Sequence, residues 1–575
     1  MNLRKHVSMK YAATVFFLGM FAAGTVAPAH AVLKAKWRTS TSQSPWVAEQ
    51  QLTIANYSAQ GTEIDIDTTV KYQTMGGWGG SPNESGVIGL HKLPQALQDS
   101  VMRAMYDTVN GCKFNMIRLP IGCSDFSISG YSLDDFPGDY TMDHVNIHRD
   151  SLVTLDFCKK ALAVNPNIKV WGSPWSAPAW MKGNNNWSGG ASYPSLECEL
   201  HQDSTTLRAY ALYFSKVVTL YKNYGLPFFA LSFQNEPYTC QPFPSMIWSN
   251  GAKMLNFMKN YLGPRMRADH PDVELWTPTM NLDDTAKFSL LNDSYCASII
   301  TTVCYQYQGE SVMPIIHRLH PNLRAYNTEL HCGAGSNSWS YPQTDTWPEI
   351  KMGVSNGNSG AFHWNLLLCS VPNATTANLC GYSAVWGTGN WPQQPIISID
   401  TAGKKIAYNT QFYMLKHLSY YIRPGSKVVK VSGQYDTNQI TVKNPDGSLA
   451  IVTNNVNGSQ PIAIRFGNQM VTATLPAQSF ASFMIYDSST TPSSIRNPQA
   501  ASVSRFVSAN KYFKISGDRF SLPSEFAGKT CLGSIYDING RSVRNFALKG
   551  GDVSLSKDFG ISQGVYVMHV KAIRD

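Results

Sequence analysis

Two kinds of apolar pattern take turns along the middle of the chain. Short, nearly continuous apolar runs fall at 114–120, 168–172, 228–233, 273–278, 298–305, 325–328 and 361–367, and with the stretch Met75-Gly76-Gly77-Trp78-Gly79-Gly80 they read as eight buried strands. Between them, 94–108, 149–162, 205–224 and 245–261 repeat apolar residues at helical spacing, and a further helical run follows at 408–421. Strands that alternate with helices build a parallel sheet with the helices outside, so the pattern predicts an α/β fold, a (β/α)8 TIM barrel over residues 72–422.

On either side of that region the period drops to two. Glu63-Ile64-Asp65-Ile66-Asp67 alternates before it, and Gln439-Ile440-Thr441-Val442 and Ala450-Ile451-Val452 alternate after it, with turn chemistry at Pro445-Asp446-Gly447 and Asn457-Gly458. The expectation is that residues 32–71 supply strands to a β-sandwich side domain formed with residues 423–487. Residues 488–504, rich in Ser, Thr, Pro and Asn, read as a linker to a small β domain at 505–575, with strand patterns around Ile535-Tyr536-Asp537 and 565–570.

The start of the chain changes the picture of where it works. Arg4, Lys5 and Lys10 precede an apolar run at 11–26 and the small-residue pattern Ala29-His30-Ala31, which predicts a signal peptide over residues 1–31 and a secreted or cell-surface protein. An uncleaved anchor is the alternative, and no later run is long and apolar enough to span a bilayer. Eleven cysteines permit disulfides in an exported chain. Cys112, Cys158 and Cys304 lie in apolar runs that suit reduced thiols, whereas Cys369 and Cys380 flank a polar loop they could bridge. No Cys-x-x-Cys pair marks a zinc site, and no cofactor is expected. At 575 residues the chain exceeds one core, and 12% aromatic beside 15% charged residues suits a globular protein with aromatic-lined surfaces. A net charge of +9 without a dense basic block argues against nucleic acid as a partner, and a monomer is expected.

Two of the predicted strands end in carboxylates. Phe228-Phe229-Ala230-Leu231-Ser232-Phe233 runs into Gln234-Asn235-Glu236-Pro237, and Arg324-Ala325-Tyr326-Asn327-Thr328 runs into Glu329. These are the fourth and seventh strands, whose carboxyl ends face one another across the top of a closed barrel. Two carboxyl groups roughly 5 Å apart are what cleavage of a glycosidic bond with retention requires, one to protonate the leaving oxygen and one to attack the anomeric carbon. A lone strand-end glutamate is more often an ion-pair partner; the pair in this setting is what gives the signal weight.

The residues at this point resemble glycoside hydrolase family 30, the glucosylceramidase-like and β-glucanase group, over roughly residues 45–487. The likeness is carried by Gln73-Thr74-Met75-Gly76-Gly77-Trp78-Gly79, Arg118-Leu119-Pro120 with Ser124-Asp125-Phe126-Ser127, 173–182 (Ser-Pro-Trp-Ser-Ala-Pro-Ala-Trp-Met-Lys), Gln234-Asn235-Glu236-Pro237, Thr328-Glu329 followed by Cys332-Gly333-Ala334-Gly335, and Trp364-Asn365. The resemblance implies Glu236 as acid/base and Glu329 as nucleophile. It further implies substrate contacts from Asn235, Asp125 and Tyr305, sugar-facing rings at Trp175 and Trp364, and Arg118 as a buried charge orienting a catalytic carboxylate. Trp180 suits ordinary packing, while Trp187, Trp386 and Trp391 lie in loops that could extend the cleft.

The segment Tyr305-Gln306-Tyr307-Gln308-Gly309 resembles a pattern of the β-1,6-glucanase-like branch but has Tyr307 where Trp is usual. A β-linked glycan is the expected substrate, with glucan, glucosylated lipid and xylan open and a β-glucosidic bond favoured. The last unit resembles sorting domains of the type IX secretion route through 534–541 and Gly564-Val565-Tyr566-Val567, which would make secretion machinery a partner; a carbohydrate-binding module is the alternative. The rivals in other classes are a non-catalytic glycan-binding protein on the same fold, and transglycosylation by the same residues.

Overall fold

The computed structural model describes residues 32–61, 63–189, 196–332, 337–369 and 393–489, together with strands between 510 and 572. Residues 1–31, the motif Gly333-Ala334-Gly335, Cys380, Trp386, Trp391 and nearly all of the 488–504 linker lie outside the described residues.

All eight predicted barrel strands form: β1 (Gly77–Gly80), β2 (Met116–Ile121), β3 (Lys169–Pro174), β4 (Phe228–Ser232), β5 (Glu274–Met280), β6 (Ile300–Gln306), β7 (Arg324–Leu330) and β8 (Asn358–His363). Each pairs in parallel with the next and β8 returns to β1, so the sheet closes. Both faces of these strands are covered, which is why they read as unbroken apolar runs. Outside them the helix Ser204–Tyr224 starts where the Asp203 carboxylate accepts from the backbone N–H groups of Thr205 and Thr206, and it stops at Gly225, whose φ of 96° suits a residue without a Cβ.

Inside the barrel, Met116, Trp171, Ala230, Trp276, Cys304, Tyr326 and Phe362 form a closed apolar floor. Trp171 lies 4.9 Å from Trp276 and 5.2 Å from Phe362 by ring centroids, and Trp276 stacks on Tyr326 at 5.2 Å. Gly76, just before β1, makes room for this layer: a Cβ there would come within 1.8 Å of the Tyr326 hydroxyl oxygen.

The side domain is a ten-stranded sheet curled around Ile64, Ile451, Ile464 and Phe483. The N-terminal strand Leu33–Ser40 pairs antiparallel with Ser479–Asp487, and Glu63–Thr74 pairs antiparallel with Lys427–Ser432, so segments from both ends of the barrel share one sheet. Where this sheet meets the last barrel helix, Thr410–Tyr421, the buried His417 bonds Ser482 through Nδ1 and Ser40 through Nε2, both at 2.8 Å. Burial and the nearby Arg38 and Lys416 charges push its pKa down to about 3, so it joins the two domains as a neutral ring.

Cys112, Cys158 and Cys304 are buried free thiols. A disulfide joins Cys198 to Cys240 and so ties the loop after β3 to the loop after β4, a pairing that sequence spacing did not suggest. Cys369 is also disulfide-bonded. Among the described residues no helix is long and apolar enough to cross a membrane. The C-terminal unit, taken by itself, has the antiparallel sheet Asn510–Ser516, Val565–Ala572, Thr530–Tyr536 and Ser542–Lys549, with a separate pair of short strands.

Candidate active site

The chain does not stop being strand-like where β4 ends. The Asn235 N–H donates to the Pro174 carbonyl at the end of β3 (2.8 Å), and the Thr279 N–H donates to the Gln234 carbonyl (3.0 Å), so residues 233–235 stay wedged between β3 and β5. Glu236 then breaks from this path with φ of 44°, a left-handed conformation that costs a non-glycine residue roughly 1–2 kcal/mol. Its N–H donates to the Thr279 hydroxyl at 3.1 Å, and the turn leaves the carboxyl aimed at the barrel axis. Strain of this kind persists where surrounding bonds over-determine it, and it concentrates at functional sites.

Glu329 reaches the same place from β7. Its Oε2 accepts from Arg118 Nη1 at 2.8 Å, its Oε1 accepts from the Tyr307 hydroxyl, and its backbone N–H donates to Asn327 Oδ1 at 3.0 Å. Arg118 is wholly buried, and its fork also serves the Thr328 carbonyl at 2.8 Å and Asn235 Oδ1 at 2.6 Å. Asn235 Oδ1 accepts from Thr279 Oγ1 as well, at 3.0 Å. Arginine can only donate, so the amide orientation follows: the oxygen faces Arg118, and Nδ2 has no hydrogen-bond partner among the described residues.

One residue touches both carboxylates. Gln306 Nε2 lies 3.1 Å from Glu236 Oε1 and 3.2 Å from Glu329 Oε2. A single nitrogen that reaches both oxygens keeps them no further apart than the sum of the two bonds. That brings the two facing carboxyl oxygens together at the top of the barrel and is compatible with the roughly 5–5.5 Å carboxyl separation of retaining glycosidases.

The electrostatics separate the two acids. Burial, then the charge of Glu329, push the Glu236 carboxyl up to about 7, against hydrogen bonds from Gln306 and Thr239 that hold it down. Asp125 is raised well above the carboxylate range by burial and by Glu329, and its Oδ2 accepts from Trp364 Nε1 at 3.2 Å. Trp364 stacks on Trp175 with centroids 4.6 Å apart, and the Arg118 guanidinium sits 4.6 Å from the Trp175 ring and 5.4 Å from Trp364. Rather than open sugar-facing surfaces, the two rings are a buried pair, 2% and 1% exposed, that backs the arginine.

Of the residues expected at the site, the structure brings together Glu236, Glu329, Asn235, Arg118, Asp125, Trp175 and Trp364. It does not bring Tyr305. Side chains alternate along β6, Cys304 belongs to the barrel floor, and Tyr305 therefore points outward into the core, its hydroxyl against Gly353 on the helix Trp347–Ser355. Its neighbours Gln306 and Tyr307 stand at the site instead, Tyr307 with φ of 50° and its ring stacked on His331 at 5.4 Å. Parity counted from the floor residue would have found Gln306, whereas Tyr307, of the opposite parity and past the end of β6, is turned to the site by its left-handed backbone. Trp180 donates to the Asp134 carbonyl at 3.1 Å and Trp187 to Asp135 Oδ1 at 3.2 Å. The outer support at Glu349, whose Oε1 accepts from Asn327 Nδ2 at 2.6 Å, lies on that same helix and carries no strand-end signal. Among the described residues no group of three or more His, Cys, Asp or Glu side chains could hold a metal ion.

The geometry can be set beside known proteins. Residues 75–422 match the model of the glycosyl hydrolase family 30 TIM-barrel domain, and residues 425–483 match the family 30 beta sandwich domain. The chain belongs to glycoside hydrolase family 30. It is similar to the endo-1,6-beta-D-glucanase neg1 of Aspergillus fumigatus, 27% identical over 73% of this chain and 87% of that protein. It is similar, too, to the lysosomal acid glucosylceramidase of Mus musculus, 26% identical over 70% of this chain and 78% of that one. Among solved structures, the endo-beta1,6-glucanase BT3312 superposes with a TM-score of 0.67 at 23% identity, covering 78% of this chain and 99% of that one, a likeness of fold. The family 30 hydrolase therefore holds its entire carboxylate cluster within the matched barrel, and the sandwich that abuts the last barrel helix is the family's second domain.

Proposed function

We propose that this family 30 hydrolase cleaves β-glucosidic bonds with retention, Glu236 serving as acid/base and Glu329 as nucleophile. The observation that carries the reading is the shared donor, Gln306 Nε2, which keeps the two carboxyl oxygens within the reach of a double displacement. In the first step Glu236 gives its proton to the leaving oxygen while Glu329, held by Arg118 and Tyr307, attacks the anomeric carbon. Asn235 has its Oδ1 occupied by Arg118 and Thr279 and keeps Nδ2 for a sugar hydroxyl beside the reacting carbon.

The charge coupling supports the role change between steps. The negative charge of Glu329 is one of the two causes that raise Glu236. Once Glu329 is esterified that charge is gone, Glu236 becomes the stronger acid, and it stands ionised when a water must be deprotonated.

For the substrate we favour β-1,6-linked glucan over glucosylated lipid. Curated relatives carry both activities in their names, and the Tyr305-Gln306-Tyr307-Gln308-Gly309 segment leans to the glucanase branch. Export through the signal-like residues 1–31 suits an extracellular polymer, and the sorting-domain resemblance at 505–575 is kept as the route. The test is a panel of β-1,6-glucan, β-1,3-glucan, xylan, glucosylceramide and an aryl β-glucoside, with products read by size and anomer. Release of β-configured sugar from the β-1,6 polymer is the expected result, and inversion would overturn the mechanism. In Glu236→Gln turnover of the polymer should fall about 10²- to 10⁴-fold while the aryl glucoside suffers less in the first step. Near-parental activity in Glu329→Gln would remove it as nucleophile.

A further inference from the structure

We propose that Gln306 is a positioning residue of the two-carboxylate centre: its side-chain nitrogen fixes the spacing of Glu236 and Glu329 and leaves Oε2 of Glu236 as the oxygen that carries the proton. The inference rests on the roles proposed above for the two glutamates.

Gln306 is wholly buried at the end of β6. Its Nε2 has two hydrogens and three oxygens in reach: Glu236 Oε1 at 3.1 Å, Glu329 Oε2 at 3.2 Å and Asn235 Oδ1 at 3.3 Å. Asn235 Oδ1 is already served by Arg118 and Thr279, so the two hydrogens fall to the carboxylates. The same neighbours fix which way the amide is turned. Reversed, it would set a carbonyl oxygen against two carboxylates; in the observed orientation its Oε1 accepts from the Thr328 hydroxyl at 3.0 Å.

The two oxygens of Glu236 are therefore unlike. Oε1 accepts from a buried amide that never titrates, whereas among the described residues Oε2 meets only the Thr239 hydroxyl, at 3.2 Å, which also lies 3.1 Å from the Glu236 carbonyl and can turn to it. A proton on Oε2 leaves every bond of the amide intact, and a proton on Oε1 would displace one. The amide also favours ionised Glu236, so it works against burial and the Glu329 charge and thereby sets where the alkaline limb of the pH profile lies. After Glu329 is esterified the amide still holds Glu236, now in the ionised form that the second step uses.

The test uses the full-length protein, with the aryl β-glucoside and the glucan as substrates, and compares Gln306→Leu with Gln306→His. In the leucine variant kcat should fall about 10²-fold with KM changed less than about threefold, and the alkaline limb of kcat/KM should move up by about one pH unit. Histidine keeps a donor, so it should restore most of kcat and add a limb of its own, which also serves if the leucine variant does not fold. A leucine variant that loses rate with its alkaline limb unmoved, or a histidine variant no better than leucine, overturns the proposal in favour of a packing role. The reading of Glu236 is checked separately: an alkaline limb that survives in Glu236→Gln would belong to another group, whatever Gln306 does.

Discussion

Two layers of side chains inside the barrel sit two residues apart on the same strands and are built from opposite chemistry. The floor has Met116, Trp171, Cys304, Tyr326 and Phe362; above it on the same five strands stand Arg118, Ser173, Gln306, Thr328 and, just past the end of β8, Trp364. The floor makes close ring contacts and few demands for hydrogen bonds, so it closes the barrel and contributes stability. The polar layer is buried as well, yet its Arg118, Ser173, Gln306 and Thr328 are tied by hydrogen bonds, and a buried charge there is stable only with its partner. Their adjacency is the point. An apolar floor beneath the charges strengthens the Arg118–Glu329 pair and penalises the charge on Glu236, which is the asymmetry the proposed acid/base and nucleophile need.

The strongest way to break this comparison is Arg118→Met. The change strands Glu329 without its cation and removes the donor to Asn235, so kcat/KM should fall about 10³-fold and unfolding free energy by about 3–5 kcal/mol. Arg118→Lys should rescue little, because one ammonium cannot span both acceptors. Activity within tenfold of the parent would mean that the polar layer does not depend on its charge pair. Trp276→Leu strikes the floor instead. It should lower stability by about 2–4 kcal/mol in denaturant unfolding while the folded enzyme keeps kcat/KM within about tenfold. An activity loss as steep as that of Arg118→Met would show that the layers are not separable.

A smaller effect reads the floor's influence on Glu236 directly. Its folded pKa of about 7 lies above the value near 4.5 of a free glutamate, so between those two values the folded chain holds a proton that the unfolded chain has released. Stability therefore declines as pH rises through that window, and the loss is complete above it. Glu236→Gln removes the penalty: it should be more stable than the parent by on the order of 1–2 kcal/mol at pH 8 and no more stable at pH 4. Equal gains at both pH values would deny that the carboxyl is raised.

The difference between the layers also explains what could be read from the sequence. Strands buried on both faces give continuous apolar runs, so all eight were legible, and the two glutamates stood out because a carboxylate at the end of such a run is costly. Direction is what those runs hide. In Ile300–Gln306 all but one residue are buried, so nothing in the hydrophobic pattern says which alternate set faces the axis, and Tyr305 was expected inside when Gln306 belongs there. The supporting hydroxyls of Ser173, Thr279 and Thr328 look like ordinary strand residues until Arg118, Asn235 and Gln306 are seen beside them. Cys198 and Cys240 are 42 residues apart in loops, where spacing carries no pairing signal.

The position that sharpens the comparison most finely is Tyr305 itself, one residue from Gln306 and pointing the other way. Its hydroxyl is buried beside Gly353 with no hydrogen-bond partner among the described residues, so the oxygen is a cost to the fold and no use to the site. Tyr305→Phe should leave kcat and KM unchanged within about twofold and should be neutral or stabilising by up to about 1 kcal/mol. Tyr307→Phe, two residues on, removes the hydroxyl that donates to Glu329 and should slow turnover by about tenfold or more. If the two substitutions had the same kinetic effect, the placing of Tyr305 outside the site and of Tyr307 within it would be wrong, and with it the turn that follows Gln306.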